Sequence, residues 1–522
     1  MKRLLILMLS SFSFLAWSQP HSVLLEPISV SNFSGVQSFA VGKSNGKWLI
    51  IGGRLDGLHQ RQPFASFDAA GHNNQLIVID PVAGTSWSAP LTSLSTALQV
   101  QLKSTNMEFT QVDSTLYLIG GYGMNANGDH VTFNNLTAVN VPAVIDAIIN
   151  NQPFASYFRQ ISDSNFKVTG GQLYRLDGVF YLVGGQLFDG RYNPHGPTHG
   201  PGFTQAYTNE VRKFKITDDG TNLSVQFLPF YTDNTLLHKR DYNAVPYISA
   251  NAEGIVALSG VFQPTVDLPW LNAVDIDSTG FNEVAGFTQY YNHYHSAKVA
   301  LHEPTSDVMH YYIFGGIAQY YLQNGVQVQD NDVPFVKTIS HIERDATGSL
   351  TETPLTVEMP DYLGAGAEFI PLDGLAHFNN EILDYSALSG DSILIGYIVG
   401  GIKSSAPNIF FINTGSESEA TPAIYKVYLV DKSISVPETK PDNRATIRPN
   451  PSVDKIHIDL QIGAELNSIQ WIDQSGRVLQ RAEHFEEREE LILSVDELPR
   501  GIYTLVLTYT DESVESFRLA VR

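Results

Sequence analysis

The most regular pattern in this sequence is a short apolar run that ends in two glycines. The pattern occurs five times, and a sixth, degenerate copy ends in serine and glycine. Each run is preceded by another β-like run and a short turn, and a third β-like run follows after a gap. Apolar runs of this length, bounded by turn residues, predict β-strands. The repeated glycines are Gly52, Gly53, Gly120, Gly121, Gly184, Gly185, Gly260, Gly315, Gly316, Gly400 and Gly401.

Several units show a fourth β-like run that contains a proline, as in residues 87–91, 226–230 and 350–355. The predicted unit is therefore four antiparallel strands, repeated six times over residues 19–431. One four-stranded sheet cannot cover both of its own faces, whereas sheets packed radially can cover each other. The sequence thus predicts an all-β fold with a six-bladed β-propeller. Seven blades is the alternative, because the copies are widely and unevenly spaced.

The sixth unit is predicted to be completed from the other end of the chain. Its first strand is predicted within residues 382–391, and no convincing fourth strand follows its third. Residues 23–28 stand alone before the first unit and are similar to the fourth strands of other units. We expect them to close the ring, which would remove an exposed sheet edge.

The diglycines predict places where a strand end approaches a neighbouring sheet or adopts positive φ, since only glycine does either at low cost. An apolar run, Gly-Gly and a later Asn-x-apolar strand resemble the kelch repeat. This resemblance implies a kelch-like propeller. The Trp that kelch blades usually carry has one good candidate here, Trp87. Some kelch propellers are copper enzymes whose cofactor needs a cysteine, and others isomerise sialic acids.

Composition narrows the function classes. The net charge of −22 argues against nucleic acid or an anionic membrane as the main partner, because both attract basic surfaces. The chain contains no cysteine, which excludes disulfides, thiolate metal ligands, cysteine nucleophiles and the copper chemistry of the kelch-like oxidases. Aromatic residues make up 11% of the chain and charged residues only 16%, as expected for a turn-rich β protein.

Both ends of the chain are interpreted as targeting segments. Residues 1–18 predict a signal peptide, with Lys2 and Arg3 before an apolar core and a small-residue cleavage site around Ser18. No later segment is apolar enough to predict a membrane span in the mature protein. Residues 432–444 contain two prolines and few large apolar residues, which predicts a linker.

Residues 445–522 alternate apolar and polar positions between turns, which predicts a small β-sandwich. The opening Pro-Asn-Pro, the Asp-Gln-Ser-Gly-Arg turn and the Leu-Pro-Arg-Gly-Ile-Tyr segment resemble a type IX secretion C-terminal sorting domain, found in Bacteroidetes-type bacteria. The resemblance implies export through the periplasm by the type IX machinery, followed by release or attachment to the cell surface. An Ig-like binding module is the alternative.

Candidate functional residues lie in the long loops after the diglycines and in the segments that lead into each unit. Propeller symmetry places both on one face, and long loops on a rigid scaffold commonly carry function. Aromatic planes with polar edges suit sugar rings or peptide side chains. The candidate ligand-binding residues are Arg191, Tyr192, His195, His199, Arg240, Trp270, Tyr290, Tyr291, His293, His295, Tyr320 and Tyr321.

Catalytic residues are not identified by any motif, and no cofactor is predicted. His195 and His199 lie in a Gly/Pro loop rather than on a helix, so their spacing does not predict a metal site. The leading hypothesis is a secreted or cell-surface protein that binds a glycan or a protein. The alternatives are a sugar-acting enzyme, similar to sialic-acid-epimerising kelch propellers, and a structural surface protein.

Overall fold

The computed structural model describes residues 21–249, 252–431, 444–460, 464–472, 478–483, 490–496, 498–510 and 514–521. The chain divides into two compact units, Met1–Ser433 and Ile434–Arg522. The predicted signal peptide and most of the predicted linker lie outside the described residues. Within the described ranges, neither α-helix has the length and hydrophobicity that a membrane-spanning helix needs.

The first unit contains six antiparallel sheets of four main strands each, counted over residues 21–431. Sheets 1 to 5 follow one another along the chain, and the four main strands of each lie side by side in chain order. Their strands are as follows: sheet 1, Ala40–Ser44, Lys47–Ile51, Gln75–Asp80, Thr85–Pro90; sheet 2, Glu108–Val112, Thr115–Ile119, Asn135–Asn140, Phe158–Ser162; sheet 3, Gln172–Leu176, Val179–Val183, Glu210–Asp218, Leu223–Phe227; sheet 4, Asn243–Ser249, Ala252–Leu258, Ala273–Ile276, Phe281–Glu283; sheet 5, Lys298–Glu303, Val308–Phe314, Thr338–Arg344, Leu350–Glu358.

Sheet 6 joins the two ends of this unit. Its strands are Glu368–Pro371, Ser392–Val399, Ile424–Asp431 and His21–Ile28. The last of these pairs antiparallel with Ile424–Asp431, from His21 opposite Asp431 to Ile28 opposite Ile424. The N-terminal strand therefore completes the sixth sheet, as the sequence predicted.

The first strand of sheet 6 is not where the sequence placed it. Within the predicted segment 382–391, only Leu383–Asp384 is a strand, and it pairs parallel with Lys298–Glu303 of sheet 5. Glu368–Pro371 takes the predicted position instead. The prediction was wrong because a short four-residue strand carries too little periodicity to stand out beside a longer apolar stretch.

A hydrophobic cluster lies between each sheet and the next, and a sixth cluster joins sheet 6 to sheet 1. Burial of apolar side chains between sheets is thus the main contact that fixes their succession. One pair of buried residues from each cluster shows the succession: Leu49 with Leu118, Ile119 with Leu182, Val183 with Ile255, Val256 with Ile313, Phe314 with Val427, and Val399 with Ile50.

A closed cycle of backbone hydrogen bonds links the segments that precede the first strands. In each case an N–H donates to the carbonyl of the equivalent residue one sheet earlier, and the first sheet donates to the sixth. The donors and acceptors are Asn106 to Ser38, Gly170 to Asn106, Asp241 to Gly170, His295 to Asp241, Gly366 to His295, and Ser38 to Gly366, at 2.7 to 3.3 Å. We call this cycle the central ring.

The diglycines lie against the backbone of the following sheet, and Gly120 shows why the residue is needed. Its φ is +62°, and a Cβ there would lie 2.0 Å from the Val168 carbonyl oxygen. The next residue, Gly121, donates its N–H to that same carbonyl at 2.9 Å. All eleven repeat glycines have positive φ. The predicted reason for the glycines is therefore confirmed.

Other elements fill the connections. Helices Thr96–Leu102 and Val141–Ile149 pack into the cluster between sheets 1 and 2, and the sequence reasoning missed both. Short 3-10 helices occur at Ala69–Gly71, Leu91–Ser93, Ala155–Tyr157, Ser164–Phe166, Asn379–Glu381 and Tyr385–Ala387, and Tyr231–Thr232 is an added strand of sheet 3. Four post-diglycine loops form hairpins: Tyr122–Met124 with His130–Thr132, Gln186–Gly190 with Phe203–Tyr207, Tyr320–Gln323 with Val326–Gln329, and Ile402–Ser404 with Ser418–Ala420.

The C-terminal unit has two antiparallel sheets of its own. One comprises Ala445–Arg448, Lys455–Leu460 and Glu490–Ser494, and the other comprises Val478–Glu483, Leu466–Ile472, Gly501–Tyr509 and Val514–Val521. Both sheets contribute to a single hydrophobic cluster, which includes Ile456, Trp471 and Leu505. The chain is therefore all-β in both units apart from short helices in the first.

Candidate functional site

A cavity of 630 Å³ lies in the first unit and receives residues from all six sheets. Each sheet contributes a residue that precedes its first strand and a residue that follows its Gly-Gly or Ser-Gly pair. In sheet order these pairs are Ser38 and Arg54, Asn106 and Tyr122, Thr169 and Gln186, Arg240 and Phe262, His295 and Ile317, and Gly366 and Ile402. Five residues of the central ring line the cavity, namely Ser38, Asn106, Asp241, His295 and Gly366.

One side of the cavity is an aromatic wall, which we define as His59, Phe67, Tyr122, Phe188, Tyr192, Phe203 and Phe410. Neighbouring rings lie 4.7 to 6.4 Å apart between centroids. Such offset and edge-to-face pairs hold one another in place. Burial lowers the pKa of His59 to about 4, so its imidazole is neutral at neutral pH. The wall therefore offers uncharged ring faces.

Arg54 brings a buried guanidinium to the cavity beside this wall. Its Nε and Nη2 donate to the two Asp56 carboxylate oxygens at 2.6 and 2.5 Å, and Nη2 also donates to the Asp68 carbonyl at 3.0 Å. The side chain is 1% exposed, and its Nη1 has no hydrogen-bond partner among the described residues. A buried donor without a partner is costly, so Nη1 is suited to donate a hydrogen bond to a ligand oxygen.

Arg240 is the second guanidinium of the cavity. It forms an ion pair with Asp241 and donates from Nε to the Tyr207 hydroxyl at 2.8 Å. Its guanidinium lies 5.4 Å from the ring centroid of Phe262. Burial alone would lower the pKa of Arg240, but Asp241 and Tyr207 outweigh burial and raise it. The group therefore stays charged and fixed.

His295 and Glu368 form a third polar feature. The His295 Nε2 lies 2.9 Å from the Glu368 Oε1, and the Gln172 Nε2 lies 3.5 Å from the His295 Nδ1. His295 lines the cavity, whereas Glu368 belongs to the first strand of sheet 6 behind it. Neither atom of this contact has a hydrogen-bond partner among the described residues, so the pair is a close contact between an imidazole and a carboxylate.

Of the twelve residues that the sequence suggested for ligand binding, the cavity contains Tyr192, Arg240 and His295. Arg191 lies nearby, where it donates to the Phe64 carbonyl and, from Nε, to the His130 Nδ1 at 3.4 Å. The rings of His195 and His199 lie 6.0 Å apart.

The remaining candidates lie outside the cavity lining and contribute to the fold. Trp270 donates its indole N–H to the His238 carbonyl at 2.8 Å. His293 is fully buried, accepts from the Gln319 N–H at 3.1 Å and lies 3.0 Å from the Gln289 carbonyl. Tyr291 is 4% exposed and donates to the Gln327 Oε1. Tyr290 packs edge-on against Tyr320, and Tyr320 and Tyr321 belong to a hairpin strand.

Sequence reasoning missed Arg54, most of the aromatic wall and Glu368. His59 and Phe67 belong to the loop between Lys47–Ile51 and Gln75–Asp80, whereas Phe410 lies in a loop far away in the chain, and neither loop has a periodic pattern in the sequence. The residue directly after each diglycine could have served as a signal in the sequence. In every case this residue lines the cavity, and Arg54 and Tyr122 are two examples.

Comparison with known proteins characterises the C-terminal unit. The sequence model of the family described as the secretion system C-terminal sorting domain matches residues 446–519. This confirms the predicted sorting domain of type IX secretion and implies a secreted or cell-surface protein that interacts with that machinery.

The remaining comparisons contribute little to the first unit. No curated protein matches the chain. The solved structure described as "Structure of YjhT" is similar at 13% identity with a TM-score of 0.41, over 76% of this chain and 98% of that chain.

Proposed function

We propose that sheets 1 to 6 are the blades of a six-bladed, kelch-like β-propeller, and that its central cavity binds a glycan. Three features support the architecture. Consecutive sheets share hydrophobic clusters, the central ring returns to its start after six residues, and the N-terminal strand completes sheet 6. Closure of this kind leaves each sheet covered on both faces.

The observation that carries the binding proposal is the cavity with its aromatic wall. Its volume of 630 Å³ lies within the range of about 300–1,000 Å³ that is usual for small-molecule sites. Sugar rings present apolar C–H faces and hydroxyl edges. The faces match Tyr192 and Phe203, while Arg54, Gln186 and Gln205 offer hydrogen bonds at the edges. The secreted or cell-surface location implied by the sorting domain gives access to extracellular glycans.

The mouth of the cavity adds exposed apolar side chains. Phe411 lines the cavity and is 56% exposed, and the Arg61 guanidinium lies 4.9 Å from its ring centroid; Phe64, in the same loop as the wall residue Phe67, is 75% exposed. Large apolar side chains at the edge of a cavity commonly mark a recognition surface. They suit a glycan chain that extends beyond the enclosed sugar.

The test is a glycan array on the full chain, with the affinity of each positive glycan measured by calorimetry. We expect Tyr192→Ala to lower that affinity at least about tenfold, equivalent to about 1.4 kcal/mol. Tyr290→Ala is the matched control, because it removes a ring outside the cavity lining. Equal affinities of both variants and the wild type would contradict the proposed site. If no glycan on the array binds, and the chain instead captures a defined protein, the result would favour a protein ligand over a glycan.

A second candidate, an enzyme that acts on a sugar, is favoured by the His295–Glu368 pair. An imidazole that lines a cavity and lies beside a carboxylate can take a proton from a substrate and return it. Incubation of bound sugars with the chain, followed by NMR, would detect epimerised or cleaved products. The enzyme hypothesis requires His295→Gln to abolish conversion while glycan binding persists. Absence of conversion for every sugar that binds would leave a binding protein.

A further inference from the structure

Sheet 5 carries a group of metal-ligand side chains away from the cavity. His310 lies on strand Val308–Phe314, and His341 and Glu343 lie on the adjacent strand Thr338–Arg344. Side chains two residues apart on a strand share a face, so His341 and Glu343 are on one side of the sheet. The register places His310 directly opposite Glu343, which brings all three to that face.

The distances within this group suit one small cation. The Nδ1 of His310 lies 3.0 Å from the Nε2 of His341. One ligand atom from each of His310, His341 and Glu343 can be chosen so that all lie within 4.8 Å of one another. Zn–N bonds of about 2.0–2.1 Å at tetrahedral angles place two nitrogen ligands about 3.3 Å apart, close to the spacing here.

The two imidazoles of this group lie in a closely packed part of sheet 5. His310 and His341 are 4% and 3% exposed, so their rings are held among packed side chains, including Tyr385, whose ring centroid lies 5.5 Å from that of His310. Two buried imidazoles with a carboxylate are a donor set that Zn²⁺ prefers.

We propose that His310, His341 and Glu343 bind a single Zn²⁺ ion that ties the second and third strands of sheet 5 together. None of the three lines the 630 Å³ cavity. The ion would therefore stabilise the fold rather than take part in ligand binding, because an ion bound only by the folded state shifts the equilibrium towards it. The sequence predicted no metal site here, because a His-x-Glu pair on a strand lacks the helical spacing of a His-Glu-x-x-His motif.

The experiment uses the full chain without an affinity tag, dialysed against a chelator and then titrated with Zn²⁺ by calorimetry. We expect one equivalent to bind and the melting temperature to rise, with the rise reversed by chelator. Co²⁺ in its place should give the visible absorption of a tetrahedral centre. Glu343→Gln should weaken Zn²⁺ binding at least about tenfold, as even the loss of a supporting hydrogen bond commonly does.

The matched control is His302→Gln. His302 is also a buried histidine of sheet 5, but it lies on strand Lys298–Glu303 beside Asp307 and outside this group. The control should bind Zn²⁺ like the wild type. The proposal is overturned if the wild type binds no stoichiometric Zn²⁺, or if folded Glu343→Gln binds it unchanged. In the first case the contact between the two imidazoles is a hydrogen bond alone. His341→Gln adds a second test wherever circular dichroism shows that it folds.

Discussion

The two units of this protein hold themselves together in different ways. In residues 21–431, six hydrophobic clusters join consecutive sheets, and the last sheet needs a strand from each end of the segment. In residues 444–521, two sheets enclose one cluster that all of their strands surround. The first unit therefore depends on contacts that close over about 400 residues, whereas the second depends on contacts within one short segment. Removal of the N-terminal strand should consequently destabilise the six sheets, whereas removal of the C-terminal unit should leave them folded.

Removal of residues 445–522 should have the largest effect of all, which is on export of the protein. It should leave the fold of residues 21–431 intact. The sorting domain is lost, so we expect nearly all of the truncated protein to stay in the periplasm. The clusters between the six sheets consist of residues within 21–431, and we expect the melting temperature of these sheets to remain that of the full chain. Cell fractionation and calorimetry measure the two effects. Normal amounts of truncated protein in the medium would contradict the role of the C-terminal unit.

Removal of residues 19–30 should instead damage the fold. It deletes the strand His21–Ile28, exposes the edge of Ile424–Asp431 and uncovers the cluster that contains Val23. Burial of one such side chain contributes about 1.5–3 kcal/mol, and the eight paired residues add to it, so we expect a loss of several kcal/mol. Urea unfolding measures it. An unchanged free energy of unfolding would show that the pairing of His21–Ile28 with Ile424–Asp431 does not stabilise the unit.

Gly120→Ala tests a single contact between neighbouring sheets. The added Cβ would lie 2.0 Å from the Val168 carbonyl oxygen at a φ of +62°, so sheets 2 and 3 would have to separate. We expect a loss of roughly 3–5 kcal/mol. Gly128→Ala is the control, because Gly128 also has positive φ but nothing within 4 Å of the added atom. It should cost about 1 kcal/mol, the strain of the backbone alone. Equal losses in both variants would mean that close approach between sheets is unimportant.

Local pattern and long-range assembly explain which parts of this structure could be predicted. The strands around Gly120, the unpaired segment 23–28 and the two-sheet tail follow from period-two alternation and from glycine chemistry, which are local properties. The short strand Glu368–Pro371 and the helix Val141–Ile149 do not, because packing against neighbouring sheets decides them. For the cavity, only the face of the fold that carries the long loops could be predicted. Whether Tyr192 or Tyr291 reaches it depends on how far each loop folds inwards, and no period in the sequence records that.

The smallest effect is expected from Glu108, a carboxyl that joins sheets 2 and 3. Its Oε1 accepts the Gly171 N–H at 2.7 Å, and the residue is 2% exposed. Burial raises its pKa to about 8. Between its unfolded value of about 4.5 and pH 8, the folded state holds a proton that the unfolded state has lost. The contribution of this group to stability therefore falls as the pH rises through that range and levels off above it.

Glu108→Gln removes this dependence while it keeps an oxygen for Gly171. The melting temperature of the variant should therefore rise relative to that of the wild type between pH 5 and pH 8. Other groups titrate in a similar pH range, but they are present in both proteins. Their contributions therefore cancel when the two melting temperatures are compared. These groups include His72, whose pKa burial lowers to about 4, and Lys239, whose pKa burial lowers to about 7. A constant difference between Glu108→Gln and the wild type over this range would show that Glu108 is already ionised in the folded protein. The contact between sheets 2 and 3 would then rest on apolar packing and the backbone alone.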